Sequence, residues 1–236
     1  MKKILISDYD GTFYVNESQI KKNIRSVNEF INKGNMFVIA TGNNYDYFIK
    51  VAKEKGIRYD YLILDQGSVI SDRYNKIIYS CTLNNNILKS ICYELREVYN
   101  IHKIEIYSAK RKECSFINKK ITKISIKFNK KTSALKIITI LNKKYGKYIN
   151  AYLMIFSNSY IVEIISSKTD KEKAIRIIAN IEKVDKSSIY TIGNGYNDIS
   201  MINAFNGACV NNSVDELLKR CNRHVESVNE LVYKIL

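Results

Sequence analysis

The chain has 236 residues, of which 46% are hydrophobic and 26% are charged, and its formal net charge is +15. These proportions exclude wholesale disorder, and the length allows one large domain or two small ones with a sizeable core. The charge raises nucleic acid or an anionic membrane as a partner.

The first third of the sequence alternates between short apolar runs, typical of buried parallel strands, and amphipathic segments with helical spacing. The amphipathic segments end at Gly34 and Gly56, and glycine is a helix stop signal. The predicted elements are strand 3–7, helix 17–33, strand 36–40, helix 45–55, strand 61–64 and a small hairpin of 69–70 with 77–79.

The middle of the sequence repeats a pattern of one helix followed by strands. Its predicted elements are helix 85–99, strands 103–107 and 123–128, helix 133–144, and strands 152–156 and 160–165 joined by Ser157-Asn158-Ser159. The final part returns to alternation, with helix 171–181, strand 189–192, helix 198–204, strand 208–210 and helices 214–219 and 228–235. A compact α+β segment between two α/β segments indicates an inserted domain.

The basic residues do not form a pattern typical of nucleic-acid binding. They comprise 30 Lys and 8 Arg, and no block of five or more like charges occurs. Arg, which reads base edges and phosphates best, is scarce. Together with the absence of Pro and Trp, this indicates a genome-wide compositional bias. We therefore expect no nucleic-acid partner.

No targeting or membrane segment is expected. Asp8 and Asp10 interrupt the N-terminal apolar run, and the longest uncharged apolar stretch, 151–162, is too short and too polar to span a bilayer. Five cysteines without a CxxC spacing indicate free thiols in a reducing cytoplasm. His102 and His224 lie far apart in the sequence, so zinc is not expected. We expect a cytoplasmic protein without a membrane partner, monomeric or weakly dimeric.

The string Asp8-Tyr9-Asp10-Gly11-Thr12 follows the first predicted strand. Ligands of open α/β sheets bind beyond the carboxyl ends of the strands, and carboxylates two residues apart leave a strand on the same side. Close carboxylates repel each other and need a cation, and their oxygens favour Mg²⁺. Gly11 allows a sharp turn, and Thr12 offers a hydroxyl and a backbone donor. The alternative is a capped turn with solvated acids.

Two weaker signals lie at later junctions. Thr41, Gly42 and Asn43 follow the second strand and precede a helix, where a hydroxyl and backbone N–H groups can hold a phosphate. A Thr-Gly pair in this place can equally be a helix cap. Lys171 opens the helix after the hairpin, and by itself it is typical of a solvated surface charge.

The loop Gly193-Asn194-Gly195-Tyr196-Asn197-Asp198 follows the predicted strand 189–192. Its glycines let the backbone approach a ligand, and Asn197 and Asp198 offer oxygens at a strand end. The GxG start could also indicate a dinucleotide-binding loop. That interpretation lacks the third glycine and a strand-end acid about 20 residues further on.

The four motifs occur in one order at strand-to-helix junctions: acid pair, hydroxyl, lysine, and glycine-acid loop. In this order the chain resembles the haloacid dehalogenase superfamily, and within it the Cof-type phosphatases, over nearly its whole length. The resemblance implies an α/β fold in which a Rossmann-like core with a parallel sheet comprises residues 1–81 and 167–236. Residues 82–166 would form an inserted α+β cap domain that determines substrate specificity.

The resemblance also implies a role for each motif. Asp8 would attack the phosphorus and form an aspartyl-phosphate, and Asp10 would protonate the leaving oxygen and then activate water. Thr41 would bind the phosphoryl oxygens, and Lys171 would offset the negative charge. The implied ligands of the cofactor Mg²⁺ are Asp8, the backbone carbonyl of Asp10, Asn194 and Asp198. The implied phosphate or substrate contacts are Gly11, Thr12, Gly42, Asn43 and Asn197.

Three positions depart from the family pattern. The family usually has Asp where this chain has Asn194, so we expect weaker Mg²⁺ binding, with Asp198 sharing the role. It often has Arg where this chain has Asn43, so a guanidinium able to grip an anion is missing. The glycine that usually follows the motif lysine is Glu172 here. These differences bear on rate and substrate choice more than on fold.

The leading hypothesis is a Mg²⁺-dependent phosphatase that hydrolyses a small phosphorylated metabolite, for example a sugar phosphate. The same residues would serve a phosphotransferase or mutase, which passes the phosphoryl group to another hydroxyl. The changes at Asn43 and Asn194 leave open a catalytically weakened protein that binds a phosphorylated ligand. Specificity is expected in the cap and in its hinges near 81–83 and 166–169, where no pattern identifies the substrate.

Overall fold

A computed structural model describes residues 2–101, 103–117, 119–156 and 159–236. His102 and the Ser157-Asn158 part of the predicted hairpin turn lie outside the described residues. The first elements are β1 (Ile4–Asp8), α1 (Glu17–Asn32), β2 (Met36–Ala40), α2 (Tyr45–Lys55), β3 (Tyr61–Leu64), a 3₁₀ turn (Asp65–Gly67), β4 (Val69–Asp72) and β5 (Ile77–Ser80).

The middle of the chain contributes α3 (Asn85–Tyr93), a π-helical turn (Glu94–Val98), β6 (Ile104–Ser108), β7 (Lys112–Glu113), β8 (Ile121–Phe128), α4 (Lys131–Tyr145), β9 (Ile149–Phe156) and β10 (Ser159–Ser166). The last elements are α5 (Lys171–Glu182), a 3₁₀ turn (Lys186–Ser188), β11 (Ile189–Gly193), a 3₁₀ turn (Tyr196–Asp198), α6 (Ile199–Ala204), β12 (Asn206–Val210), α7 (Asp215–Arg220), β13 (His224–Val225) and α8 (Val228–Ile235).

The larger sheet has eight strands in the order β13-β12-β11-β1-β2-β3-β4-β5. Neighbouring strands are parallel from β13 to β3, whereas β4 and β5 pair in antiparallel fashion. The connection from β3 to β4 is only a few residues long, which is too short for a parallel crossover. The predicted parallel sheet is therefore a mixed sheet, because the predicted hairpin joins its edge.

Helices cover both faces of this sheet. Alternate residues of β1 point to opposite faces, so that Leu5 packs with α1, α2 and α8, while Ile4 and Ile6 pack with α5, α6 and α7. All five residues of β1 and of β2 are buried. This explains why these strands are continuous apolar runs in the sequence.

The smaller sheet is antiparallel, with the strand order β7-β6-β8-β10-β9. Alternate residues of β8, including Ile124 and Ile126, form one apolar core with α3 and α4. The chain enters this part between Ser80 and Asn85 and leaves it between Ser166 and Lys171. The sheet therefore carries its helices on one face, which leaves Lys123 and Ser125 on the other.

Most predicted elements are present, with ends shifted by a few residues. The predicted helix 85–99 is α3 followed by the π-helical turn. The sequence analysis missed β7 and β13, since strands of two residues are too short to show a periodic pattern. None of the described helices combines the length and apolar character that crossing a bilayer requires.

The turn after β3 has an unusual backbone. Asp65, Gln66 and Gly67 all have positive φ angles, of 48°, 57° and 103°. The backbone N–H of Asp65 donates to the carbonyl of Asn43, and that of Gln66 donates to the carbonyl of Thr41. These bonds hold the turn against the loop that follows β2, and they offset the strain of left-handed residues other than glycine.

Replacing Gly67 by Ala should destabilise the protein more than replacing Gly34. A Cβ atom at Gly67 would lie 2.2 Å from the backbone oxygen of Asp170, whereas Gly34 has a similar φ of +84° and open space around it. We expect Gly34→Ala to lower the free energy of unfolding by about 1–2 kcal/mol through backbone strain alone. Gly67→Ala should cost more than about 3 kcal/mol because the backbone must also move. Urea denaturation measures both, and equal losses would contradict this account.

Candidate active site

Three neighbouring strands bring the first acidic motif together with two later ones. Strand β1 ends at Asp8, β2 ends just before Thr41, and β11 ends at Gly193. Because β1 pairs in parallel with both β2 and β11, the carboxyl ends of all three strands meet at one edge. Strand order reverses on the two sides of β1, and this is where open α/β sheets bind ligands.

Lys171 connects two of the acidic residues. It is the first residue of α5, its side chain is 1% exposed, and its Nζ donates to Asp8 Oδ1 and to Asp198 Oδ1, both at 2.7 Å. Burial alone would lower the pKa of Lys171, but the charges of Asp198 and Asp8 raise it above its usual range. The lysine is therefore a buried ammonium group shared by two carboxylates, and not a solvated surface charge.

The carboxyl of Asp8 is held in an environment that resists ionisation. Burial raises the pKa of Asp8 to about 7, and the neighbouring charge of Asp198 contributes to the same shift, while Lys171 opposes it. Added positive charge would favour the charged form of Asp8.

Asp198 organises the loop after β11. Its Oδ2 accepts hydrogen bonds from the backbone N–H groups of Asn194 (3.0 Å) and Gly195 (2.8 Å). Asn194 is turned toward the first motif, where its Oδ1 accepts a hydrogen bond from Thr12 Oγ1 at 3.1 Å. Asp198 therefore holds both Lys171 and the backbone that presents Asn194 to the site.

Asn43 lies against the second acid of the first motif. Its Nδ2 donates to Asp10 Oδ2 at 2.8 Å and to Thr41 Oγ1 at 3.0 Å. Asp10 is an exposed residue, but desolvation by the surrounding protein raises its pKa, and the hydrogen bond from Asn43 opposes this shift. The amide thus orients the carboxyl of Asp10 beside the Thr41 hydroxyl.

A cavity of about 430 Å³ opens onto these groups. The motif residues that line it are Asp8, Asp10, Gly42, Asn43, Asn194 and Asn197. The other predicted site residues lie beside or beneath the lining residues. The contacts given above place Thr12, Thr41, Lys171 and Asp198, and the carbonyl of Gly11 accepts a hydrogen bond from Asn212, which also lines the cavity. A face of the smaller sheet completes the wall with Tyr107, Lys123, Ser125 and Glu163.

A buried ionic cluster joins the two sheets beside the cavity. Lys123 Nζ donates to Glu163 Oε1 at 2.8 Å and to the carbonyl of Gly42. Gln66 connects the cluster to the last motif, since its Nε2 donates to Glu163 Oε2 at 2.7 Å and its Oε1 accepts from Asn197 Nδ2 at 2.9 Å. Contacts of the smaller sheet thus reach two of the loops that form the site.

Asp65 is the third charged member of this cluster. Its Oδ1 lies 3.4 Å from Lys123 Nζ but makes no hydrogen bond among the described residues, while its Oδ2 accepts from Thr122 Oγ1 at 2.8 Å. The contact with Lys123 is therefore an ion pair without hydrogen-bond geometry. Burial raises the pKa of Asp65 to about 6, although Lys123 and Thr122 oppose the shift.

The sequence analysis missed Asp65, Gln66, Lys123 and Glu163 as site residues. One signal was present in the sequence: polar residues at alternate positions of the predicted strand 123–128, and Glu163 within an apolar strand. Such a pattern indicates a polar face on a strand. It does not say whether that face meets solvent or another part of the protein.

Known proteins share this architecture. A family model described as haloacid dehalogenase-like hydrolase matches residues 5–115 and 102–235. A protein from Buchnera aphidicola subsp. Baizongia pistaciae named "Putative phosphatase" is 27% identical over 257 residues, which cover 97% of this chain and 93% of that protein.

Solved structures agree with the family match. A haloacid dehalogenase-like hydrolase from B. subtilis has a TM-score of 0.82 at 15% identity, over 99% of this chain and 100% of the other. A protein from Bacteroides thetaiotaomicron, analysed among phosphatases of the haloalkanoate enzyme superfamily, has a TM-score of 0.80 at 17% identity, over 100% and 94% of the two chains. At these identities the structural similarity establishes the fold.

The substitution Asp65→Asn should change how stability depends on pH. A carboxyl whose pKa is about 6 in the folded protein and near 3.9 in the unfolded chain stabilises the fold below about pH 4. This contribution is lost as the pH rises through 6. Relative to wild type, the variant should therefore gain on the order of 3 kcal/mol in free energy of unfolding between pH 4 and pH 7.

Denaturant titrations across this pH range provide the measurement. The same titrations on Asp185→Asn, which removes an exposed carboxylate, correct for the loss of one charge. Wild-type and Asp65→Asn curves that run parallel across the range would rule out the shifted carboxyl.

Proposed function

The chain belongs to the haloacid dehalogenase-like hydrolase family, and we propose that it is a Mg²⁺-dependent phosphatase acting on monoesters of small phosphorylated metabolites. The observation that carries this proposal is the placement of Asp8, which lines the cavity while Lys171 donates to its Oδ1 at 2.7 Å. A carboxylate oriented by a buried ammonium group is suited to attack an electrophilic phosphorus.

In the first half-reaction, an oxygen of Asp8 forms a bond to the phosphorus while the bond from phosphorus to the leaving oxygen breaks. Asp10 supplies the proton that the leaving oxygen takes up, so the product departs as an alcohol. The raised pKa of Asp10 favours its protonated form, and Asn43 holds Oδ2 of this carboxyl in place. The product left on the protein is an aspartyl-phosphate.

In the second half-reaction, Asp10 accepts a proton from a water molecule as the water oxygen attacks the phosphorus. The bond to Asp8 breaks, and inorganic phosphate and the free carboxylate are released. Lys171 stays charged throughout, because Asp8 and Asp198 raise its pKa, and it offsets negative charge at the reacting centre. The hydroxyl of Thr41 accepts a hydrogen bond from the Asn43 amide that also holds Asp10, and its proposed role is to bind phosphoryl oxygens.

The residues at this edge fit a hard divalent cation. Among the described residues, no group of three or more His, Cys, Asp or Glu side chains is arranged to hold a metal ion. The donor set therefore needs the amide oxygen of Asn194 and the backbone carbonyl of Asp10 beside the carboxylate of Asp8, all of them oxygen ligands of the kind Mg²⁺ prefers. Asp198 supports this set through the loop that its Oδ2 holds. Bound Mg²⁺ supplies positive charge that lets Asp8 and a phosphoryl group approach each other.

The smaller sheet supports the proposed assignment of residues 82–166 as a cap. It forms a wall of the cavity, and its Lys123 and Glu163 contact the loops of the larger sheet. Residues 1–81 and 167–236 then form the catalytic core. A cytoplasmic location fits the five free cysteines, of which Cys92, Cys209 and Cys221 are buried.

The substitution Asp8→Asn should abolish hydrolysis. The amide cannot act as the nucleophile, so we expect kcat for 4-nitrophenyl phosphate in the presence of Mg²⁺ to fall at least about a thousandfold. Asp185→Asn, an exposed acid outside the site, is the matched control and should keep wild-type activity. Activity that persists in Asp8→Asn, or its absence from the wild type across a panel of metabolite phosphates, would refute the proposal. Comparing inorganic phosphate release with transfer to added sugars separates a phosphatase from a phosphotransferase.

The substitution Asn194→Asp should strengthen Mg²⁺ binding. It adds a carboxylate to the donor set, and one added charge at a few ångströms in a partly screened site is worth about a tenfold change in affinity. Calorimetry without substrate measures the dissociation constant independently of activity. Asn212→Asp is the control, because Asn212 lines the same cavity and donates to the carbonyl of Gly11. If the two variants bind Mg²⁺ equally well, Asn194 is not a ligand.

A further inference from the structure

The cavity surface is acidic although the chain as a whole carries a charge of +15. Four carboxylates line the cavity, from Asp8, Asp10, Glu105 and Glu163. Lys123 is the one basic side chain among the lining residues in the part of the chain that the structure describes. Whether an anionic group of a substrate finds a basic side chain in the lining therefore depends on whether Lys123 is free to bind that group.

Lys123 is already fully engaged. Its side chain is 4% exposed, and its Nζ donates to Glu163 Oε1 and to the carbonyl of Gly42. The same atom lies 3.4 Å from Asp65 Oδ1 and 4.9 Å from the centre of the Tyr107 ring. Two of the three protons of this ammonium group are donated in these hydrogen bonds, and Asp65 and the Tyr107 ring surround the charge without a further hydrogen bond.

The cluster around Lys123 has more negative than positive charge at neutral pH. One ammonium group serves two carboxylates, those of Asp65 and Glu163, which are 0% and 10% exposed. If Lys123 turned toward an anionic ligand, both buried carboxylates would lose their counter-ion. Because an unpaired buried charge is strongly unfavourable, the lysine stays with the acids.

The other acid of this wall also has its partner outside the cavity. Glu105 accepts hydrogen bonds from Tyr107 Oη at 2.7 Å and from the exposed Lys112 at 2.5 Å. Lys112 is not among the residues that line the cavity. A second anionic group on a substrate would therefore face carboxylates without a cation to receive it.

The neutral part of the lining suits a different kind of ligand. It contains five asparagine side chains, and amide groups are partners for hydroxyl groups: Asn43, Asn44, Asn194, Asn197 and Asn212. The Nδ2 groups of Asn43, Asn197 and Asn212 already donate within the protein, so these three would meet a ligand chiefly as acceptors. Apolar side chains for the carbon skeleton are also present: Leu153, Met154, Ile155 and Ile161.

Building on the proposed phosphatase activity, we infer that the cavity selects phosphate monoesters whose leaving group is a neutral or cationic polyhydroxyl compound. It rejects leaving groups that carry a carboxylate or a second phosphate. The anionic phosphoryl group itself would be received at the other end of the cavity, beside Asp8, where the proposed cation site and the charge of Lys171 beneath it offset the negative charge. Glu163 and Glu105 are the residues that determine this selectivity.

A pair of matched substrates tests the inference. Glucitol 6-phosphate and 6-phosphogluconate share chain length and scissile bond, and they differ in a hydroxymethyl group against a carboxylate. We expect kcat/KM to be at least tenfold higher for glucitol 6-phosphate. Glucosamine 6-phosphate should be hydrolysed at least as efficiently as glucose 6-phosphate, because its ammonium group faces an acidic wall.

Two variants test whether Glu163 and Glu105 cause the preference for glucitol 6-phosphate. Glu163→Gln keeps an acceptor for Gln66 and removes one charge beside Lys123, so the preference for glucitol 6-phosphate should fall to about threefold or less. Glu105→Gln, at an exposed position, should reduce the preference without disturbing the buried cluster. Glu216→Gln, on the exposed surface of α7, is the control and should leave the preference unchanged.

The outcomes separate this inference from the proposed function. Equal or better hydrolysis of 6-phosphogluconate overturns the inference, and so does hydrolysis of 4-nitrophenyl phosphate with none of the sugar esters. If no ester is hydrolysed, the phosphatase proposal fails. The charge preference is then tested by calorimetry, which measures how tightly the wild-type protein with Mg²⁺ binds each of the two matched compounds. Tighter binding of 6-phosphogluconate than of glucitol 6-phosphate would then overturn the inference, and weaker binding would support it.

Discussion

The ammonium group of Lys171, held between Asp8 and Asp198, is the interaction on which the rest of the active site depends. All three side chains are buried, and buried charges are tolerated only with partners close by. Lys171 opens α5, Asp8 ends β1, and Asp198 precedes α6. Lys171 can serve both carboxylates only when these distant segments reach the same edge of the sheet, so the fold and the site depend on the same contacts.

Asp198 extends this constraint to the loop after β11. Its second oxygen accepts hydrogen bonds from the backbone N–H groups of Asn194 and Gly195, so these contacts of the loop do not involve the side chain of residue 194. The difference from the usual family pattern at Asn194 therefore changes the charge offered to a cation and leaves the local geometry to Asp198. In the same way, Asn43 does not replace an anion-binding guanidinium, since its amide is used to orient Asp10.

A second buried ammonium group with two carboxylate partners lies at the junction of the two sheets, in the cluster of Lys123, Glu163 and Asp65. The contact of Lys123 with the carbonyl of Gly42 and that of Glu163 with Gln66 hold the smaller sheet against the loops that carry the motifs. Lys123 and Glu163 also line the cavity wall. Two of the groups that attach the smaller sheet are thus groups that a bound substrate would meet.

Local patterns in the sequence were sufficient for the order of the elements, for the motifs at the ends of β1, β2 and β11, and for the resemblance to the family. Hydrophobic periodicity and position at a strand end depend on neighbouring residues, and parallel strands bring their carboxyl ends together wherever they pair. The pairing of Lys123 could not be predicted from local sequence patterns. Whether it is a free cation or a saturated one depends on residues 42, 65 and 163, which are far from it in the chain and come together only when the two sheets pack. Tertiary packing alone therefore decided that a strongly basic chain would carry an acidic cavity.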